Sequence, residues 1–155
     1  MKLIEMFKEP IDKHDLISVI RHAVFMSIIG GLLVGAIHLL ITQVFQISLL
    51  WMLMFIFGLY LARRIKNAYQ KYHVIYAVIA IVAIFITYYL VNIVYLTGFL
   101  YMINALTLTT FSSYLNPFSY FTFLNVLSTG FFKVENILNV IFFILVNVYV
   151  VRYVK

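Results

Sequence analysis

The stretch Arg63-Arg64-Ile65-Lys66-Asn67-Ala68-Tyr69-Gln70-Lys71-Tyr72-His73 separates two apolar runs and decides how the chain folds. One run extends back to Ile47 and the other begins at Val74. A Lys or Arg at the centre of a bilayer costs about 2.5–3.5 kcal/mol on insertion scales, so the cations of this stretch belong in water or among lipid headgroups. Because Lys and Arg are retained in cytoplasmic loops, the stretch also predicts the orientation of both runs.

The composition is that of a membrane protein. The 155 residues are 65% hydrophobic and 10% charged, with a mean hydropathy of +1.07. Soluble domains are about 45–50% apolar and about 25% charged, so this chain has too little polar surface for a water-soluble globule. The sequence therefore predicts an all-α integral membrane protein.

Charge and cysteine content narrow the possible partners. The net charge is +6, but the basic residues flank apolar runs, which indicates a lipid bilayer as the partner and no nucleic acid. The absence of Cys excludes disulfides, thiolate chemistry and Cys-ligated metals. The four His residues lack a ligand spacing, so we expect neither a metal nor another cofactor.

The apolar runs predict four transmembrane helices, at about 16–45, 47–62, 74–103 and 136–151, within one membrane domain of residues 16–151. Residues 1–15 predict a cytoplasmic amphipathic segment, and residues 152–155 a cytoplasmic tail. Asp12 or Asp15 is expected to cap the first helix, and Trp51 fits an aromatic belt at the outer surface.

Residues 104–133 predict an outer segment that contains an interfacial or re-entrant helix. Asn116-Pro117 and Gly130 delimit a helix over residues 117–129. At about 1.5 Å per residue it would reach about 20 Å, too short to span. A fifth full span is the alternative interpretation.

The positive-inside bias favours four spans, with both termini inside. This arrangement leaves Lys133 alone outside among the eleven Lys and Arg residues, whereas five spans would move the C-terminal cations outside. The cations expected to set this topology and to meet lipid headgroups are Arg21, Arg63, Arg64, Lys66, Lys71, Arg152 and Lys155. The compact layout, without a recognisable signal peptide, favours a multi-pass protein of the bacterial inner (plasma) membrane.

Small residues on the first span predict a helix–helix contact. Ser27, Gly31 and Gly35 recur every four residues and form one groove along the helix, with a GxxxG pattern at its centre. The partner helix could lie in this chain, in a second copy or in another protein. Alternatively, the glycines reflect only their general frequency in membrane helices.

Polar residues of three spans predict a pocket in the outer half of the membrane. His38 and Thr42 continue the groove of the first span, and an ionisable residue within a span indicates a functional site. Tyr88, Asn92 and Asn139 are expected at a similar depth, with Glu135 near the mouth. In the simpler alternative, His38 is neutral and makes one interhelical hydrogen bond.

No catalytic group is apparent, so we do not expect an enzyme. The spans lack Asp and Glu, and the chain has no HExxH or GxSxG motif. We expect a subunit or accessory of a membrane complex that acts through helix packing, with another membrane protein or by self-association. The alternatives are an oligomeric carrier or channel for a small solute or ion that uses the His38 pocket, and an immunity or lysis-type membrane protein.

Overall fold

A computed structural model describes residues 10–127 and 131–155 as a bundle of helices. In chain order the elements are α1 (Lys13–Phe45), α2 (Leu50–Lys66), α3 (Val74–Met102), α4 (Leu108–Tyr114), two 3₁₀ helices (Pro117–Tyr120 and Thr122–Leu124) and α5 (Val134–Val154). The all-helical prediction is therefore confirmed for the described residues. The proposed N-terminal segment falls largely on residues 1–9, outside them.

Three helices are long and apolar enough to cross a membrane: Lys13–Phe45, Val74–Met102 and Asn136–Val154. They correspond to the first, third and last predicted spans. The other long helix, α2, has 17 residues. At about 1.5 Å per residue it reaches about 25 Å, slightly less than a hydrocarbon core of about 30 Å.

Local signals set the helix ends. Asp12 caps α1, because its carboxylate accepts a hydrogen bond of 2.7 Å from the His14 amide. His73 caps α3 in the same way, accepting from the Ile75 amide at 3.1 Å. At the opposite ends, Gln46 and Asn104 adopt φ of 55° and 53°, the left-handed conformation that terminates helices.

The bundle is organised as two helix pairs. The helix α1 runs parallel to α3 and contacts it along most of its length, while α2 packs mainly against α5. Side chains from all four helices fill the interior between the pairs. The largest of them are Val19, Met54, Leu61, Ile65, Tyr76, Ile84, Val91, Val146 and Val150.

The outer segment differs from the prediction. Within its described part, the expected helix at 117–129 is replaced by the two 3₁₀ helices, and α4 forms where no helix was expected. Phe121 and Phe123 both pack against Tyr88 and Phe143 of the core. Residues two apart lie about 200° apart around an α-helix and cannot share a face, so a continuous α-helix there is incompatible with this packing.

The basic stretch joins three parts of the chain at one end of the bundle. The Gln70 amide donates to Asp15 Oδ2 at 3.0 Å, near the start of α1. Lys66 Nζ donates to the Tyr153 carbonyl oxygen at 3.1 Å, and the Tyr69 hydroxyl donates to that of Val154. The start of α1, the α2–α3 connection and the end of α5 therefore lie together.

Candidate functional site

The small residues of α1 lie against α3 of the same chain. Ser27 is buried, and its hydroxyl donates to the Ala83 carbonyl oxygen at 3.1 Å. Thr87 donates to the same oxygen at 2.7 Å from within α3. The Ser27 hydroxyl thus makes its hydrogen bond directly across the interface between the two helices.

The two glycines of the GxxxG pattern permit an even closer approach. A Cβ added to Gly31 would lie 2.5 Å from Leu90 Cβ, and one added to Gly35 would lie 2.7 Å from Val94 Cβ. Neither position has room for a side chain. The groove is therefore occupied by α3, so a partner protein has to meet another surface of the bundle.

His38 lies at the outer part of this α1–α3 interface. It is 6% exposed, and its ring centroid lies 4.8 Å from that of Tyr95. Its Nδ1 has no hydrogen-bond partner among the described residues. Thr42 donates at 2.8 Å to the backbone carbonyl oxygen of His38 rather than to the ring. Among the described residues, the other buried side-chain atoms without a hydrogen-bond partner are His73 Nε2 and Asn147 Oδ1.

Tyr88 and Asn139 meet elsewhere, through Trp51. The Trp51 indole N–H donates to Asn139 Oδ1 at 2.7 Å, and its ring stacks on Tyr88 at 5.4 Å between centroids. Asn92 donates at 2.8 Å to the Tyr88 carbonyl oxygen within α3. The aromatic residues that surround this group are Phe121, Phe123, Phe142 and Phe143.

The predicted polar pocket therefore does not assemble as one site. Across the described residues, no hydrogen bond or ring contact links His38 to Tyr88, Asn92 or Asn139. Tyr88 and Tyr95 lie about 10 Å apart along α3, so the two polar groups lie at different depths. Glu135 belongs to the first turn of α5, but its side chain lies outside the described part of the structure.

The sequence did not predict the hydrogen bond of Trp51. It does place Tyr95 with Tyr88 and Asn92 on one side of α3, but it did not predict the contact of Tyr95 with His38. An indole at a helix end is typical of an aromatic belt, so the sequence offered no reason to expect its hydrogen bond to Asn139. Tyr95 follows Tyr88 after two helical turns, which was a usable signal for a stripe on α3. Nothing in the sequence indicated that His38 would lie beside the second tyrosine.

A long groove lies on the outside of the bundle, between the exposed faces of α2 and α5. Its volume is about 810 Å³, and its wall includes Ser48 near the α1–α2 turn and Arg152 near the end of α5. The residues between them are apolar: Leu49, Trp51, Met52, Phe55, Ile56, Phe142, Leu145, Val148 and Tyr149. In the apolar segment of α5, 22% of the residues are buried, against 39% in α1 and 44% in α3. Of these three helices, α5 therefore leaves the largest share of its apolar segment exposed.

The cations that are expected to set the topology lie together at one end of the bundle. Arg63, Arg64 and Lys66 occupy the last turn of α2, and Arg152 the last turn of α5. Lys66 also lies 5.5 Å from the centre of the Tyr153 ring. Arg21 of α1, Lys71 of the connection and the terminal Lys155 belong to the same end.

Partly buried tyrosines lie at this basic end. Burial raises the pKa of the Tyr69 hydroxyl, and the neighbouring Tyr72 and Tyr76 add to the shift. Burial likewise raises the pKa of Tyr72. Tyr69 therefore stays protonated and donates its hydrogen bond to the Val154 carbonyl oxygen at neutral pH.

Comparisons with protein-family models, with curated proteins and with solved structures find no significant match to this chain. Within residues 10–127 and 131–155, no three His, Asp or Glu side chains come close enough to hold a metal ion.

Proposed function

We propose that this protein is a non-catalytic subunit or accessory of a membrane complex. It spans the plasma membrane of a bacterium four times, with both termini inside, and holds a transmembrane helix of a different membrane protein in the groove between α2 and α5. The observation that carries this proposal is the groove itself, which remains open while the GxxxG groove of α1 is filled by α3.

The packing of α2 supports four spans. Met54 and Leu61 of this helix are fully buried among the three longer helices. A helix that buries one face against membrane-crossing neighbours is expected to cross with them, and the cations of its last turn reach the headgroups by extending their side chains. The joined ends of α1, α2 and α5 support a topology with these ends on one side, as the positive-inside bias favours.

The length of the groove favours a helix over a lipid tail as its occupant. The groove wall reaches from Ser48, beside the α1–α2 turn, to Arg152 in the last turn of α5, so it extends beyond the half of a roughly 30 Å core that one leaflet fills. A transmembrane helix covers this whole distance. Arg152 has no carboxylate partner among the described side chains, so an acidic residue at the inner end of the partner helix would complement it.

Filling the groove tests the proposal. We expect Ile56→Trp combined with Val148→Trp to abolish co-purification of the partner in mild detergent, as measured by native mass spectrometry. The matched control is Ile28→Trp with Leu32→Trp, which adds a similar volume to exposed positions of α1. Loss of the partner in the control, retention in the groove variant, or a mass equal to two copies of this chain would each contradict the proposed occupant.

A carrier of a small solute or a proton is the second candidate, favoured by the unpartnered Nδ1 of His38. Such an atom can accept a hydrogen bond from a permeating species. Flux across liposomes that contain the purified protein separates the candidates. A carrier predicts flux that His38→Leu abolishes, whereas a packing subunit predicts no flux from either protein.

A further inference from the structure

A second cavity lies at the basic end of the bundle, between α1 and α2. Its volume is about 310 Å³, at the lower limit of ordinary ligand pockets, which begin near about 300 Å³. Its wall consists of Arg21, His22, Phe25 and Met26 from α1 and Arg64 from α2. This cavity is separate from the groove between α2 and α5, so an inference about it does not depend on the proposed function.

No carboxylate that the structure describes neutralises the two guanidinium groups at this cavity. The acidic side chains that the structure describes are Asp12 and Asp15. Asp12 caps α1 through the His14 amide, and Asp15 accepts from the Gln70 amide. Neither carboxylate forms an ion pair with Arg21 or Arg64. Two arginines at one cavity repel each other unless an anion lies between them.

The remaining walls match a lipid rather than a free ion. Phe25 and Met26 lie one turn further along α1 than Arg21 and His22, towards the middle of the apolar segment. His22 is held in place because its Nδ1 lies 2.8 Å from the Ser18 carbonyl oxygen. The cavity is therefore cationic towards the basic end and apolar towards the membrane interior.

We propose that this cavity binds the phosphate group of an anionic phospholipid. Arginine offers paired N–H donors that match phosphate oxygens, so Arg21 and Arg64 hold the phosphate from two helices. Phe25 and Met26 contact the first carbons of the acyl chains. Basic pockets between transmembrane helices are a recognised type of site for lipid headgroups.

Lipid titration of the purified full chain in mild detergent tests this site. The probes are phosphatidylglycerol, phosphatidylcholine with the same acyl chains, and inorganic phosphate, each followed by the number of bound molecules in native mass spectrometry. We expect retention of one phosphatidylglycerol in preference to phosphatidylcholine. Arg21→Gln with Arg64→Gln should weaken this binding about 30-fold, since each cation contributes about 1 kcal/mol near anionic lipid and 1.4 kcal/mol is tenfold.

The control variant is Lys13→Gln with Arg63→Gln, which removes the same charge from the same two helices outside the cavity. It should retain phosphatidylglycerol binding within about threefold, because only general attraction to an anionic surface is reduced. Equal weakening by both variants would overturn the proposal, as would equal retention of phosphatidylcholine. Displacement of the lipid by millimolar inorganic phosphate would assign the site to a free anion instead.

Discussion

At the scale of single residues, Gly31 lies at a close approach of α1 and α3. An added Cβ would lie 2.5 Å from Leu90 Cβ, an atom fixed to its backbone. At Gly98 of α3 an added Cβ would lie 2.3 Å from Leu39 Cδ2, the end of a side chain that can rotate. The two glycines thus tolerate an added methyl group very differently.

We therefore expect Gly31→Ala to lower the free energy of unfolding by about 1–3 kcal/mol, the usual cost of overpacking, because the two helices have to separate. Gly98→Ala should change it by less than about 1 kcal/mol, because the better helix propensity of Ala offsets a rotation of Leu39. Unfolding in mixed micelles with increasing SDS measures both. Equal destabilisation by the two variants would show that the α1–α3 interface can relax around Gly31.

Some residue contacts of α1 could be predicted from the sequence, and others could not. The spacing of Ser27, Gly31 and Gly35 predicted a close helix contact, because small residues on one face let another helix backbone approach. It could not identify α3 as the partner, since helix pairing depends on side chains of both helices. The position of His38 beside Tyr95 was missed for the same reason.

At the scale of elements, Trp51 connects α2 to α5 through its hydrogen bond to Asn139. A double-mutant cycle with Trp51→Phe and Asn139→Leu should give a coupling free energy of about 0.6 kcal/mol, the average for hydrogen bonds in membranes. Phenylalanine keeps a ring at the position that stacks on Tyr88, so the cycle isolates the polar contact. The measurement is again unfolding in mixed micelles.

Asn147→Leu provides the control for this cycle. Asn147 donates to Phe143 in its own helix, and its Oδ1 has no partner among the described residues. We expect no coupling with Trp51→Phe and a neutral or stabilising effect, since an unsatisfied buried oxygen is removed. A coupling as large as that of Asn139 would indicate a general change in the α2–α5 packing instead of a specific bond.

Element boundaries could be predicted where the chain carries strong local signals. Asp12 caps α1, and the basic stretch begins in the last turn of α2, so both limits lie within a few residues of their expected places. The outer segment could not be predicted in this way. Its conformation depends on Phe121 and Phe123 reaching an aromatic cluster formed by distant helices.

At the scale of the whole molecule, the four long helices form one unit because the basic end ties them together. Asp15 of α1 binds the α2–α3 connection, and Lys66 of α2 binds the end of α5. This geometry requires α1 to begin on the side of the membrane where α5 ends. Because Lys and Arg are retained in cytoplasmic loops, we expect this end of the bundle to face the cytoplasm.

Single cysteines test this orientation directly, because the chain has no cysteine of its own. We expect Ser48→Cys to react with a membrane-impermeant maleimide in intact cells. Asn67→Cys and Lys155→Cys should react only after permeabilisation, because the cationic connection and the C-terminus stay in the cytoplasm. Labelling of Lys155→Cys from outside, with Asn67→Cys still protected, would mean that α5 ends on the opposite side of the membrane from the basic stretch. That result would be incompatible with the hydrogen bond between Lys66 and Tyr153.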